Sequence, residues 1–285
     1  MNPYQGLVAQ YARLANESRL YSKGAFAPLA RPHVDPGAGC ALFFAPHPDD
    51  ECIIGGLALR LMREARLKVI NVAVTQGSKK ERQAERLREL QNACRYIGFD
   101  LVTTGPGGLE RISSTTRDRD PKHWGACVKV IGEILSANKP RVIFFPHEND
   151  WNSTHIGTHF LVMDALAGMP PGFECFLVET EFWGQMTQPN LMVEISATDL
   201  ADLISATTFH VGEVNRNPFH LLMPAWMMDN VRRGTELVGG QGEAAPDFTF
   251  AALYRLRKWR QGKSTDVLTH GTNLPATVNA TKLFS

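Results

Sequence analysis

Phe44-Ala-Pro-His-Pro-Asp-Asp-Glu51 is the stretch whose reading decides the fold. It follows an apolar run, 41–45, that reads as a buried strand. It precedes 52–65, where Ile53, Ile54, Leu57, Ala58, Leu61, Met62 and Ala65 recur at helical spacing. Strand, tight polar turn and amphipathic helix make the start of a βαβ unit, and open α/β sheets gather functional groups at the carboxyl ends of such strands. One imidazole and three acids within residues 47–51 then have two readings. Asp49 or Asp50 caps the following helix, with Glu51 adding negative charge at its positive end. Alternatively the turn is half a metal site, with His47 and Asp50 as ligands and Asp49 as a base. A borderline metal such as zinc accepts imidazole nitrogen and carboxylate oxygen, and a catalytic site keeps one position open for water. Two ligands are too few, so the second reading requires a third elsewhere.

Working outward, residues 67–75 are β-branched and continuous enough for a second strand, buried on both faces. A charged amphipathic helix over 79–97 follows, ended by Gly98. Further strands are expected at 99–103, 141–145, 175–179 and 191–195, with helices at 123–137 and 155–168 and a long polar loop over 104–122. This alternation predicts an α/β fold: a doubly wound, mostly parallel sheet with helices on both faces. The expected organisation is a single domain with extensions: a helix and Pro/Gly/Ala linker over 1–39, an α/β core over 40–200, and a C-terminal part over 201–285. Helices at 198–208, 225–235 and 247–260 and an extended polar arm over 261–285 make up that last part.

Composition narrows the function. The chain has 285 residues, 44% hydrophobic and 21% charged, with net charge +1 and a sequence pI of about 7.7. A soluble globular protein is expected, with no electrostatic case for nucleic acid or anionic membranes. The five cysteines are scattered without a C-x-x-C pair, which suits buried thiols in a reducing compartment. No stretch is long enough to span a bilayer, and the N-terminal pattern is not that of a signal peptide, so a cytoplasmic location is expected.

The third ligand is sought in Phe145-Pro-His-Glu-Asn-Asp-Trp-Asn-Ser-Thr-His-Ile-Gly-Thr-His159, which also follows a buried strand and precedes an apolar helix. In a parallel sheet both turns sit at one edge and converge if their strands are neighbours. His147, His155 and His159 are the candidates. His155, at the helix start, is favoured, and His159, one turn further, can face the same cleft. His33, His123, His210, His220 and His270 lack partner spacing and are expected to be structural or exposed. Trp151 and Trp183 either stack on a ligand or pack in the core.

The first stretch resembles the opening motif of the PIG-L (LmbE-like) deacetylases, Rossmann-like zinc enzymes that remove acetyl groups from N-acetylglucosamine units. The second resembles their later Asp/His-rich motif. Arg86-x-x-Glu89-Leu90, Ala93 and Ile97-Gly98 are similar to the family's helix, and Pro189-Asn190 with Val193-Glu194-Ile195 to a later strand, so that the resemblance spans roughly 40–200. It implies His47, Asp50 and His155 on one Zn2+ per chain, with another divalent metal open. It also implies Asp49 as general base, kept ionised by the cation and the helix N-terminus, and Arg86 as a substrate-binding residue. The bland alternative for Arg86 is a solvated network with Glu81, Arg82, Glu85 and Glu89. The implied partner is a small N-acetylated amino sugar, and a homo-oligomer is left open.

Relatives place a histidine and an acid where this chain has Asn152 and Thr154. Asn152 could stabilise the oxyanion through its amide, or His159 or His147 could substitute. Two rivals stand beside the hydrolase. A nucleotide-binding Rossmann enzyme lacks its G-x-G-x-x-G after the first strand. A sugar-binding or scaffold protein that has lost activity would not need the full set His47, Asp49, Asp50 and His155.

Overall fold

A run of six buried residues, β1 (Cys40–Ala45), lies at the centre of the sheet. Ala41, Phe43 and Ala45 face one core while Leu42 and Phe44 face the other. That two-sided burial explains why the strand reads as a continuous apolar run rather than as an alternation. A computed structural model describes residues 2–284. Its strands continue as β2 (Lys68–Ala73), β3 (Asp100–Thr103), β4 (Val142–Pro146), β5 (Cys175–Thr180), β6 (Leu191–Glu194), β7 (Ala251–Arg260), β8 (Lys263–Asp266) and β9 (Thr272–Leu274). The sheet order is β3-β2-β1-β4-β5-β7-β6-β9, with β8 on β7. The first five strands in this order pair in parallel. β1 and β4 are neighbours in register, Ala41 opposite Val142 and Phe43 opposite Phe144. The chain winds outward from β1 to β3 and then returns to β1's other side, so a topological switch point falls between β1 and β4.

The helices are α1 (Pro3–Glu17), α2 (Asp50–Ile53), α3 (Gly56–Glu64), α4 (Lys80–Ile97), α5 (Ser114–Arg119), α6 (Pro121–Asn138), α7 (Ser153–Ala167), α8 (Ala197–Thr207), α9 (Val211–Arg216) and α10 (Met223–Gly234). Helices α3, α4 and α8 bury Leu57, Leu61, Leu90, Ile97 and Leu203 on one face of the sheet. Helices α6 and α7 bury Ile131, Leu135, Leu161 and Val162 on the other. The fold is therefore the mixed α/β sheet flanked by helices that the alternation predicts. Gly98 ends α4 in the left-handed region, as expected, donating to the Cys94 carbonyl at 2.9 Å. Among the described residues no helix is long and apolar enough to cross a membrane.

Three local expectations are corrected. Residues 52–65 are not one helix but two, α2 and α3. The expected loop 104–122 contains α5 and the buried Ile112. Residues 247–260, expected to be helical, instead form β7, antiparallel to both β5 and β6. Ala252, Tyr254 and Leu256 face the larger core and Ala251 and Leu253 a smaller one, a two-residue alternation. The charges of Arg255 and Arg257 mask it in the sequence, and both are met by acids, Asp266 and Glu179.

The tail is likewise no extended arm. β9 joins β6, and Ala280, Leu283 and Phe284 are buried. Arg60 on α3, only 1% exposed, ties this tail down. It donates to the carbonyls of Glu194 (3.0 Å), Pro275 (3.2 Å) and Val278 (2.7 Å) and pairs with Glu64 at 2.6 Å. Removing the buried guanidinium strands these part-buried acceptors. Arg60→Leu should therefore cost about 3 kcal/mol or more in urea unfolding. A loss below about 1 kcal/mol would be the value of an ordinary exposed pair and would contradict this role.

Candidate metal centre and substrate cleft

The turn after β1 is held by its neighbour strand: the Thr75 amide and hydroxyl both donate to the Pro46 carbonyl, at 3.2 and 2.7 Å. Within it the His47 amide donates to Asp50 Oδ2 at 2.9 Å. Asp49 occupies the cap position of α2, yet its side chain makes no capping hydrogen bond. The capping reading of this aspartate is therefore not realised. Its backbone has φ 122° and ψ −29°, a conformation that costs a non-glycine residue about 1–3 kcal/mol and is kept only where surroundings enforce it.

After β4 the chain enters α7 with Asn152 as its N-cap, the side-chain oxygen accepting from the Thr154 amide at 2.9 Å. That capping sets His155 in the first turn, aimed back at β1. Because β1 and β4 are adjacent, the two turns meet. His155 Nε2 lies 3.4 Å from Asp50 Oδ2, and His47 Nδ1 lies 3.6 Å from the same oxygen. All three donor atoms fall within 4.8 Å of one another. Zinc bonds of about 2.0–2.2 Å in tetrahedral geometry separate ligand atoms by roughly 3.3–3.6 Å, so this spacing suits a divalent ion. His155 Nε2 is buried without a hydrogen-bond partner among the described residues, as a ligand nitrogen should be.

Asp150, which the sequence reading passed over, faces His155 Nδ1 at 3.5 Å. Its other oxygen accepts from the Asn152 amide at 2.8 Å. A carboxylate behind a ligand imidazole fixes the ring's tautomer and orientation. The charge balance fits the same picture. Burial opposes ionisation of Asp50, but His155 and His47 outweigh it and hold the carboxyl well below the usual range. Burial likewise works against a charged His155, yet Asp50 and Asp150 raise it to about 10. Asp49 is pushed well above the ordinary carboxylate range, first by burial and then by the Asp50 charge. The protein surroundings thus oppose ionisation of Asp49, so the expectation that it stays charged rests on the cation. His47, Asp50 and His155 are the residues that could hold a cation here, and its charge would offset that of the buried acids.

Above the cluster lies a cavity of about 650 Å3, large enough for an extended small molecule. His47, Asp49 and Asp50 contribute to it, with Arg86, Ser113, Asn152, Trp183, Glu213 and Phe219 among its other lining residues. Arg86 donates to the Pro48 carbonyl at 3.1 Å and lies 3.8 Å from Glu213 on α9, rather than in a network along its own helix. Gly77 (φ +82°) makes room for it, since a Cβ there would come within 2.2 Å of Arg86 Nη1. Gly157 similarly lets α7 approach the 112–113 backbone of the cavity wall, which a Cβ would meet at 2.5 Å. Trp151 is 78% exposed and Trp183 42%, so neither serves as a core residue.

His159 is elsewhere: it packs against Phe145 and Phe160, its Nδ1 on the Pro146 carbonyl at 3.0 Å, and it does not line the cavity. His147 Nε2 is engaged with the Gly184 carbonyl at 2.8 Å. His210, expected to be structural or exposed, is fully buried against Glu51 at 2.8 Å. Asp150 was legible as an acid near the second motif, but nothing local marks His210, whose partner lies in another part of the chain.

The family model described as GlcNAc-PI de-N-acetylase matches residues 42–166. Those residues are a PIG-L family domain. The PIG-L match begins in β1 and ends in α7, and so contains both turns of the metal cluster. No curated protein sequence matches the chain. Among solved structures, the N,N'-diacetylchitobiose deacetylase of Pyrococcus horikoshii is similar over 78% of this chain and 84% of its own, with 17% identity and a TM-score of 0.55. The antimicrobial reagent A40926 pseudoaglycone deacetylase Dbv21 is similar over 79% and 98%, with 14% identity and a TM-score of 0.55. GalB, the 4-carboxy-2-hydroxymuconate hydratase of Pseudomonas putida KT2440, is similar over 76% and 95%, with 14% identity and a TM-score of 0.58. At these identities the likeness establishes the LmbE-like fold.

If Asp150 orients His155, Asp150→Asn should weaken divalent-metal affinity about 10–100-fold in chelator competition while leaving the circular dichroism unchanged. Equal affinities in variant and wild type would remove Asp150 from the site.

Proposed function

We propose that this chain is a metal-dependent amide hydrolase that removes the acetyl group from an N-acetylated amino sugar, releasing acetate and a free amine. The observation that carries this reading is Asp49 beside the three converging donors at the cavity. The PIG-L domain and the deacetylases among the fold neighbours support it. His47, Asp50 and His155 would hold one metal ion, zinc in our reading, with another divalent ion as the alternative. When bound, such an ion supplies Lewis acidity that polarises a carbonyl and acidifies water.

The residues of the chain do the rest. Asp49 takes the proton of the attacking water as general base and returns a proton to the departing nitrogen. Asn152 lines the cavity, and its Oδ1 is committed to the α7 cap, which leaves the Nδ2 donor end of the amide for the developing oxyanion. This favours Asn152 over His159 and His147, whose rings are engaged with backbone carbonyls. Arg86, which also lines the cavity, positions the substrate, and Trp183, half-exposed, offers a ring for the sugar face. The five cysteines are buried and free, which suits the cytoplasm.

The hydratase among the fold neighbours marks the rival chemistry, addition of water to a carbon–carbon double bond. A sugar-binding protein without turnover is the other rival. Acetate release from a panel of N-acetylglucosamine conjugates sets the hydrolase apart from both rivals, because only the hydrolase liberates acetate. Asp49→Asn should lower that release by about 10²–10⁴-fold while metal stays bound. An Asp49→Asn protein with full activity would show that Asp49 is not the base.

A further inference from the structure

Glu51, the last acid of the opening motif, is wholly buried and faces away from the cavity. Both of its oxygens are used. Oε2 accepts the backbone N–H of Asp49 at 3.0 Å, and Oε1 accepts from His210 Nε2 at 2.8 Å and from the Cys52 thiol at 3.1 Å. His210 is equally buried and stands in the turn between α8 and α9. Its own amide donates to the Thr207 carbonyl at 3.1 Å, while Glu213 and Val214 donate to its carbonyl, both at 3.0 Å. The imidazole is therefore fixed by the helix corner that carries it.

Asp49 needs such support. Its positive φ of 122° is a conformation that L residues leave unless both ends of the residue are held. The carbonyl end is held by α2, through the Cys52 and Ile53 amides at 3.0 and 3.1 Å. The amide end is held by Glu51 alone among the described hydrogen bonds. We infer that His210 is a positioning residue for Asp49, acting through Glu51: it fixes the carboxylate that fixes the backbone from which the proposed base projects. The corner that supplies His210 also supplies Glu213, which lines the cavity beside Arg86. The C-terminal third thus sets the aim of a residue in the opening motif. The consequence for turnover rests on the proposed role of Asp49 as base; the backbone consequence does not.

The test uses the full-length, zinc-loaded protein with His210→Leu and His210→Gln, the glutamine keeping an N–H donor at comparable reach. In the leucine variant kcat for acetate release should fall by about a hundredfold, the loss that a displacement of about 1 Å at a reacting group produces. KM and zinc content should hold, and exchange of the Asp49 amide proton should accelerate. The glutamine variant should recover most of kcat and the slow exchange. Wild-type kcat and slow Asp49 exchange in His210→Leu would overturn the inference. So would a glutamine variant as impaired as the leucine one, which would mark His210 as packing. If the wild-type protein releases no acetate from any conjugate, the proposed function fails, and the exchange measurement still decides the positioning role.

Discussion

The parallel pairing of β1 with β4 is the constraint on which the site depends. The two strands come from different halves of the sheet, and their in-register contact, with Phe43 opposite Phe144, brings two otherwise unrelated turns to one edge. Each turn brings acids that would be expensive to bury alone: Asp49, Asp50 and Glu51 from the first, Asp150 from the second. Each acid is answered in a different way. Asp50 lies between two imidazoles, Asp150 stands behind one of them, and Glu51 is paired with His210. Among the described residues Asp49 has no side-chain partner of opposite charge in direct contact, and together with Asp50 it lines the cavity. In this cluster His155 Nε2 is left without a hydrogen-bond partner among the described residues, beside Asp50 and His47, which is the arrangement that the proposed metal ion would use.

What could be read from the sequence was what local pattern determines. β1, β4 and the turns after them are apolar runs broken by polar residues, and each carries its own signal of period and burial. The convergence of His47, Asp50 and His155 was legible for the same reason, since each stands at a fixed place relative to a strand end. Features set by distant partners were not legible. β7 has charged residues at Arg255 and Arg257 that disguise its alternation until Asp266 and Glu179 are seen to meet them. The tail appears polar, but Arg60 and β6 hold it against the body. His210 has no motif around it, and its role is visible only where Glu51 comes to meet it. His159 shows the converse: helical spacing alone suggested the cleft, whereas packing against Phe145 and Phe160 turned it inward.

Fold alone does not choose the reaction, since deacetylases and a hydratase share this architecture. Under the proposed function the choice lies in the residues that line the cavity above His47, Asp50 and His155. Arg86, Ser113 and Asn152 come from within the PIG-L domain, whereas Trp183, Glu213 and Phe219 come from beyond residue 166. The chemistry proposed here is thus seated in the family segment, while part of the surface that selects its substrate is supplied by residues outside it.

The proposed catalysis requires that His47, Asp50 and His155 hold one metal ion between them. Anomalous diffraction at the zinc edge from crystals of the zinc-loaded protein tests that most directly. The expected result is a single strong peak within bonding distance of His47 Nδ1, Asp50 Oδ2 and His155 Nε2. A protein that releases acetate with no peak there, or with its metal bound elsewhere, would contradict the assignment of this cluster as the catalytic centre.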